Sequence, residues 1–312
     1  MKILITGIHG FVGSNLVGAL KDANEIYGLD IIAPEKEGIL KTFSWEDLDK
    51  GLVPQVDAII HLAGIAHDTK NQTEAEIYFK VNTNLTQKIY DYFVTSRAKK
   101  FIFFSTAKAA ADKVDGILTE DVIPSPKGPY GESKIKAEEY IMAHLSDEKQ
   151  VYILRPCMIH GPGNKGNLNL LYNVVKKGFP WPLGAFDNRR TFTSIDNLSF
   201  VIIGLLTKDV PMGIYNMGDD EALSTNELIE IICQSLGKKA HIWCISKGFM
   251  IKAAKICGML HLPLDEERLR KLTENYISSN AKIKAALGVE NMPVAARDGL
   301  MKTLNSFKTE DV

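Results

Sequence analysis

Lys2-Ile3-Leu4-Ile5-Thr6-Gly7-Ile8-His9-Gly10-Phe11-Val12-Gly13 is the stretch that decides the fold. A five-residue β-rich run enters a glycine turn, and helical periodicity begins at Phe11 and continues to Lys21. The glycine spacing is G-x-x-G-x-x-G rather than the commoner G-x-G-x-x-G. The physics is shared. Glycines permit a sharp turn and a close approach of backbone N–H groups to a pyrophosphate, and the helix N-terminus adds partial positive charge. Gly7, Gly10, Phe11, Val12 and Gly13 are therefore the expected phosphate-side contacts. A plain glycine-rich turn is the alternative. The strand before it, the helix after it and an acid further on favour the dinucleotide reading. Three glycines and a histidine also break the N-terminal apolar run, so it reads as a buried strand and not as a signal peptide.

Outward from this turn the alternation repeats. EIYGLD (25–30), DAIIHL (57–62), KFIFFS (100–105) and VYILRP (151–156) read as strands buried on both faces. Glu74–Thr95 and Tyr130–Leu145 have helical spacing. Repeated strand–helix–strand units predict an α/β fold with a doubly wound parallel sheet. After Arg155 the pattern loosens. Helices are expected near 168–177, 197–206, 225–236, 247–258, 265–273, 280–287 and 294–306, with strands at RTFTSI and GIYNMG (213–218). This predicts a cofactor half, residues 1–160 plus about 190–218, and a smaller, mostly helical substrate half, about 161–189 plus 219–312.

Bulk composition narrows the function. The 312 residues are 45% hydrophobic with a formal net charge of −1, an ordinary globular balance. No long basic block implies a nucleic-acid partner. No run of about 18 uncharged apolar residues predicts membrane insertion. Gly248–Leu262 is apolar with lysines at 252 and 255, and reads either as a packed amphipathic helix or as one lying on a membrane surface. Cys157, Cys233, Cys244 and Cys257 show no close metal-type pairing, so no metal is expected. They read as reduced thiols of a cytoplasmic protein.

Asp30 ends the second strand, about 20 residues beyond the glycines, where an acid accepts hydrogen bonds from ribose hydroxyls. Ile31-Ile32-Ala33 follow, with no arginine to pair a 2′-phosphate, which favours NAD over NADP. Tyr130-Gly131-Glu132-Ser133-Lys134 puts a tyrosine and a lysine on one helical face. A free tyrosine has a pKa near about 10, and a nearby ammonium favours its phenolate, which then accepts a proton from a substrate hydroxyl. Ser105-Thr106 ends an earlier strand at the sheet edge where ligands bind in such folds.

Together these features resemble the extended short-chain dehydrogenase family, which includes nucleotide-sugar epimerases and dehydratases. TGIHGFVG, Asp30, HLAG (61–64), VNTN, YGESK, LRPCMIHGPG, RTFTSIDNL and YNMGDDEALST carry the resemblance over nearly the whole chain. It implies a Rossmann-type domain and a catalytic set of Thr106, Tyr130 and Lys134. It also implies NAD contacts at Leu62, Ala63, Gly64, Asn82, Ser105 and Pro156, besides Tyr130 and Lys134. Substrate contacts are implied at Arg190, which matches the family arginine on the nucleotide diphosphate, with Lys108, Asn167 and Arg268 as further candidates. Family dehydratases have Asp-Glu directly after the catalytic threonine, whereas this chain has Ala107-Lys108, which argues against water elimination. The usual Tyr before Gly161 is His160. Ser44, Trp45, Glu46 and Asp47 compete for the adenine-side position, and none is assigned. The stretch 161–198 is similar to bacterial enzymes acting at C4 of UDP-N-acetyl sugars. A C4 epimerase and a 4-keto reductase are both compatible, and a non-catalytic dinucleotide sensor is the reading from another class. The resemblance further suggests a homodimer through helices 74–95 and 130–145, with Ile77, Val81, Leu85, Ile89 and Phe93 as an apolar stripe.

Overall fold

The computed structural model describes residues 1–65, 74–164, 166–259 and 265–310, with the side chains of the last two left aside. Its elements run β1 (Lys2–Thr6), α1 (Phe11–Leu20), β2 (Glu25–Leu29), β3 (Lys41–Phe43), α2 (Trp45–Asp49), β4 (Ala58–His61) and α3 (Ala75–Tyr78). A π-helical segment, Phe79–Asn84, joins α3 to α4 (Leu85–Thr95). Then come β5 (Lys100–Phe104), α5 (Ala107–Ala110), β6 (Ile117–Leu118), α6 (Pro129–Ala143), β7 (Gln150–Pro156), β8 (Met158–His160) and α7 (Asn167–Lys176). The chain continues through β9 (Phe192–Ser194), α8 (Ile195–Thr207), β10 (Gly213–Met217) and α9 (Thr225–Ser235). It ends with α10 (Lys247–Met259), α11 (Glu266–Thr273), β11 (Ile277–Ser278), α12 (Ala281–Leu287) and α13 (Ala296–Glu310).

Seven strands form one sheet in the order β10-β7-β5-β4-β1-β2-β3, and every pairing is parallel. The expected doubly wound Rossmann-type sheet is therefore present. Strand alternation divides its side chains. Ile3, Ile5, Ile60, Ile102 and Leu154 face α1 and α8 in one core, while Leu4, Ile59, Phe101, Phe103 and Ile153 face α4 and α6 in another. A third core joins Leu168, Tyr172, Trp181, Ile231, Leu300 and Leu304 beyond the sheet. Ile283 and Leu287 of α12 return to the first core, although they lie late in the chain.

Polar hinges join these parts. Asp219 accepts from the Ser194 N–H and hydroxyl and from the Asn197 amide, at 2.7–3.1 Å. Asp220 accepts from Asn280, Lys284 and the Met292 N–H at 2.7–2.8 Å. The segments RTFTSIDNL and GDDEALST thus serve as structural locks. His160, which replaces the family tyrosine, is fully buried against Thr303 at 2.9 Å, far into this joint.

The short strands β3, β6, β8 and β11 and the one-turn helix α5 were not visible as periodic runs. Ser44 and Asp47 form a capping box at the start of α2, with 2.8 and 3.1 Å bonds, so both side chains are engaged there.

Candidate active site

The parallel sheet brings the carboxyl ends of β1, β2, β4, β5 and β7 to one edge. Strand order reverses at β1, so a crevice opens between the β1 and β4 ends. Gly7 turns there with φ +67°, and an added Cβ would lie 2.9 Å from the Ala63 nitrogen. The turn therefore lies directly against Leu62–Ala63. Gly10 caps α1 without a side chain, and the first turn of α1 carries no acid, which leaves its N–H groups suited to an anion. Phe11, Val12 and Gly13 form that first turn. Asp30 is held beside it: one carboxylate oxygen accepts from the His9 N–H at 3.0 Å, the other from the Ile31 N–H at 2.7 Å. A carboxylate has about four acceptor positions, so each oxygen keeps capacity for a ribose hydroxyl. This geometry fits a dinucleotide, with its pyrophosphate at the turn and its ribose hydroxyls at Asp30.

A buried hydrogen-bond chain shapes the β4 end. Thr86 donates to the Asn82 carbonyl at 2.7 Å, so toward His61 Nε2, 2.9 Å away, it accepts. His61 is then the neutral Nε2–H form, and Thr6 donates to its Nδ1 at 2.6 Å. Full burial holds the ring's pKa well below the ordinary value, in keeping with neutrality. The Thr6 oxygen also accepts from the Leu62 and Ala63 N–H groups at 3.2 and 3.0 Å. Asn82 accepts from the Ile65 N–H at 2.8 Å and donates to the Ser133 hydroxyl at 3.0 Å. This network clamps HLAG to α6.

Lys134 is buried on α6, its ammonium donating to the Phe104 carbonyl at 2.9 Å. A Cβ on Gly64 would stand 2.8 Å from Asn82 Oδ1 and 3.2 Å from Lys134 Nζ, so these residues form one wall of the crevice. Burial lowers the Lys134 pKa to about 8, with Glu138 opposing. One turn earlier, Tyr130 hydrogen-bonds Thr106, and its ring meets Tyr78 edge-on at 6.3 Å. Burial raises the phenol's pKa, and the Thr106 bond acts against that rise. The Thr106 oxygen also caps α5, accepting from the Lys108 N–H at 3.3 Å. Thr106, Tyr130, Lys134, Asn82 and Gly64 are thus brought together directly.

Ser105, at the same strand end as Thr106, is buried and donates to Glu138. Glu138 also takes three bonds of 2.6–3.1 Å from Arg155. This buried pair was missed in the sequence. Its only signal was that Glu138 extends the Tyr130–Lys134 stripe by another four residues. Pro156 closes β7 at the same edge, opposite Met217 of β10.

The substrate candidates spread wider. Lys108, on α5, pairs with Asp112 at 3.2 Å. Arg190 is half-buried, its guanidinium 3.2 Å from Glu274, and its backbone bridges Leu223 and Tyr276. Tyr276 donates to the Ala111 carbonyl at 2.8 Å, which links Arg190 to the segment after Thr106. Asn167 is exposed at the start of α7, and Arg268 is exposed on α11 with Asp265 3.9 Å away. Among the described residues no cluster of three metal-ligating side chains occurs.

A dinucleotide cradle at a sheet switch point, beside a Thr–Tyr–Lys group, defines an oxidoreductase-type site. The chain belongs to the NAD-dependent epimerase/dehydratase family, whose profile matches residues 3–218. It is thus an NAD-dependent enzyme of the extended short-chain dehydrogenase type. It is 31% identical to a UDP-glucose 4-epimerase of Vibrio cholerae, over 78% of this chain and 80% of that one. It is 29% identical to the N-acetyl-α-D-glucosaminyl-diphospho-ditrans,octacis-undecaprenol 4-epimerase of Escherichia coli O157:H7, over 76% and 73%. Among solved structures it resembles MoeE5 in complex with UDP-glucuronic acid and NAD, with a TM-score of 0.78 at 21% identity, over 99% and 100% of the two chains.

Two expectations follow from this geometry. Asp30 should make NAD bind at least about tenfold more tightly than NADP, because a 2′-phosphate loses one charged hydrogen bond and adds repulsion. Titration of both cofactors into apo-protein measures this, and equal affinities would remove Asp30 from the ribose. The second concerns Lys134, whose folded pKa lies below its unfolded value of 10.5. Between those values the unfolded chain holds more protons, so the cost of burying this ammonium is full below about pH 8 and fades as pH rises. The melting-temperature advantage of Lys134→Met over the parent should therefore shrink from about pH 7 to about pH 10. A constant difference would contradict it.

Proposed function

We propose that the enzyme is a C4 epimerase of a UDP-hexose or UDP-N-acetylhexosamine. The contact between Tyr130 and Thr106, on the same crevice edge as the dinucleotide turn, carries this reading. Tyr130 takes the proton of the sugar's C4 hydroxyl; NAD, which the Gly7–Gly13 turn and Asp30 would hold, would supply the hydride acceptor and donor at that carbon. Thr106 holds the same hydroxyl in line, and the Lys134 ammonium favours the phenolate. Lys134 is held in place by its bond to the Phe104 carbonyl. The resulting 4-keto sugar turns and is reduced on its other face, and Tyr130 returns the proton. Ala107 is buried and Lys108 is tied to Asp112, so neither position offers the acid–base pair that elimination of water needs. Arg190 would hold the diphosphate, with Lys108, Asn167 and Arg268 around the sugar and uridine. The substrate half comprises about 161–189 plus 219–312, the cofactor half 1–160 plus about 190–218, and the setting is cytoplasmic.

Pure protein incubated with UDP-N-acetylglucosamine and with a 4-keto-6-deoxy UDP-sugar tests this. Interconversion of the first without added cofactor supports the epimerase. Stoichiometric NADH loss with the second makes the protein a 4-keto reductase instead.

We also propose a homodimer. Ile89 and Phe93 are consumed by the core, whereas Ile77 and Met142 are exposed, and Val81 and Leu85 are half-buried. The outer part of the stripe is thereby left to a partner. Light scattering should give twice the chain mass at micromolar concentration, and a monomer there would refute it.

A further inference from the structure

Helix α10 buries very little of its own apolar surface. Of Lys247–Met259 only Met250 and Ala254 are buried. Phe249, Ile251, Ile256 and Met259 are 63%, 50%, 53% and 67% exposed, which is unusual on one short helix. At about 100° per residue, Met250, Ala254 and the half-buried Cys257 define its inner face. Phe249, Lys252, Ile256 and Met259 fall on the opposite face, with Lys255 beside them. The charge is equally one-sided. Between Glu230 and Asp265 the sequence contains five lysines and no Asp or Glu, in a chain whose formal net charge is −1. Lys247, Lys252 and Lys255 are all exposed. Trp243, 56% exposed just before α10, adds an aromatic of the kind that favours membrane interfaces.

Exposed apolar side chains interleaved with lysines, without acids, match the surface of an anionic bilayer. The apolar groups enter the acyl boundary and the ammonium groups meet phosphate headgroups. Among the described residues no helix is long and apolar enough to cross a membrane. We propose that the outer face of α10 docks the enzyme on an anionic lipid surface. The proposal is independent of which sugar the crevice takes.

The test uses the full chain and vesicle co-sedimentation. Vesicles of phosphatidylglycerol and phosphatidylethanolamine should bind at least about tenfold more protein than pure phosphatidylcholine. Salt of about 0.5 M should release much of it. Phe249→Ser with Ile256→Ser, and separately Lys252→Glu with Lys255→Glu, should each weaken binding at least about tenfold, with melting temperature and turnover of soluble substrate unchanged. No binding to the anionic vesicles, equal binding to both lipids, or unaltered binding by both variants would overturn the proposal. So would a self-association in light scattering that the Phe249→Ser, Ile256→Ser variant abolishes, since the face would then belong to a second copy.

Discussion

Tyr130→Phe should cut turnover by about 10²–10⁴-fold, the range for removing a positioned acid–base group, while NAD remains bound. The substitution deletes one oxygen. The ring's edge contact with Tyr78 survives, because it depends on the ring and not on the hydroxyl. What disappears is the group that exchanges a proton with the sugar and hydrogen-bonds Thr106. Turnover with saturating UDP-sugar and a separate NAD titration read the two effects independently. Activity within about threefold of the parent, well under 1 kcal/mol of barrier, would remove Tyr130 from the reaction. Loss of NAD binding together with turnover would indicate that the crevice itself had collapsed.

Glu138→Ala should destabilise the fold by about 3–5 kcal/mol, the cost of leaving a buried charge without its partner. Arg155 is 1% exposed, and its guanidinium donates three hydrogen bonds to Glu138. Truncation strands that charge in the core between β7 and α6 and removes the acceptor of the Ser105 hydroxyl. The double variant Glu138→Leu, Arg155→Met should recover much of the loss, because two apolar groups of similar volume need no desolvation. Thermal unfolding of Glu138→Leu, Arg155→Met and the double variant measures the coupling. Additive losses would mean that the pair does not act as a unit.

The parts of the fold legible in the sequence share a physical cause. Strands β1, β4, β5 and β7 are buried on both faces, so they read as unbroken apolar runs. Asp30 and the Tyr130–Lys134 pair were legible because turn and helix spacing place them without tertiary information. The rest needed three dimensions. Strand β3 has three residues and takes its identity from pairing with β2. Glu138 meets Arg155 across two elements 17 residues apart, and its i,i+4 relation to Lys134 is indistinguishable from an ordinary solvated helix face. The neutral His61 relay depends on threonines from β1 and α4, 55 and 25 residues away.

The π-helical segment Phe79–Asn84 has a consequence for how this scaffold tolerates length changes. Such segments hold a wider turn inside an otherwise α-helical rod. Deleting a single residue there would let α3 and α4 merge into one regular helix, locally a better-bonded structure. The wider turn takes up one extra residue, so the same deletion would leave α3 and α4 in nearly their present phase and shift only the side chains between them. Asn82 lies among them and would swing off Ile65 and Ser133, so its clamp on the turn beside Gly64 would open. The crevice is thus held by a helical irregularity that favourable local energetics alone would remove, and shortening this rod by one residue exchanges helix regularity for the loss of the site.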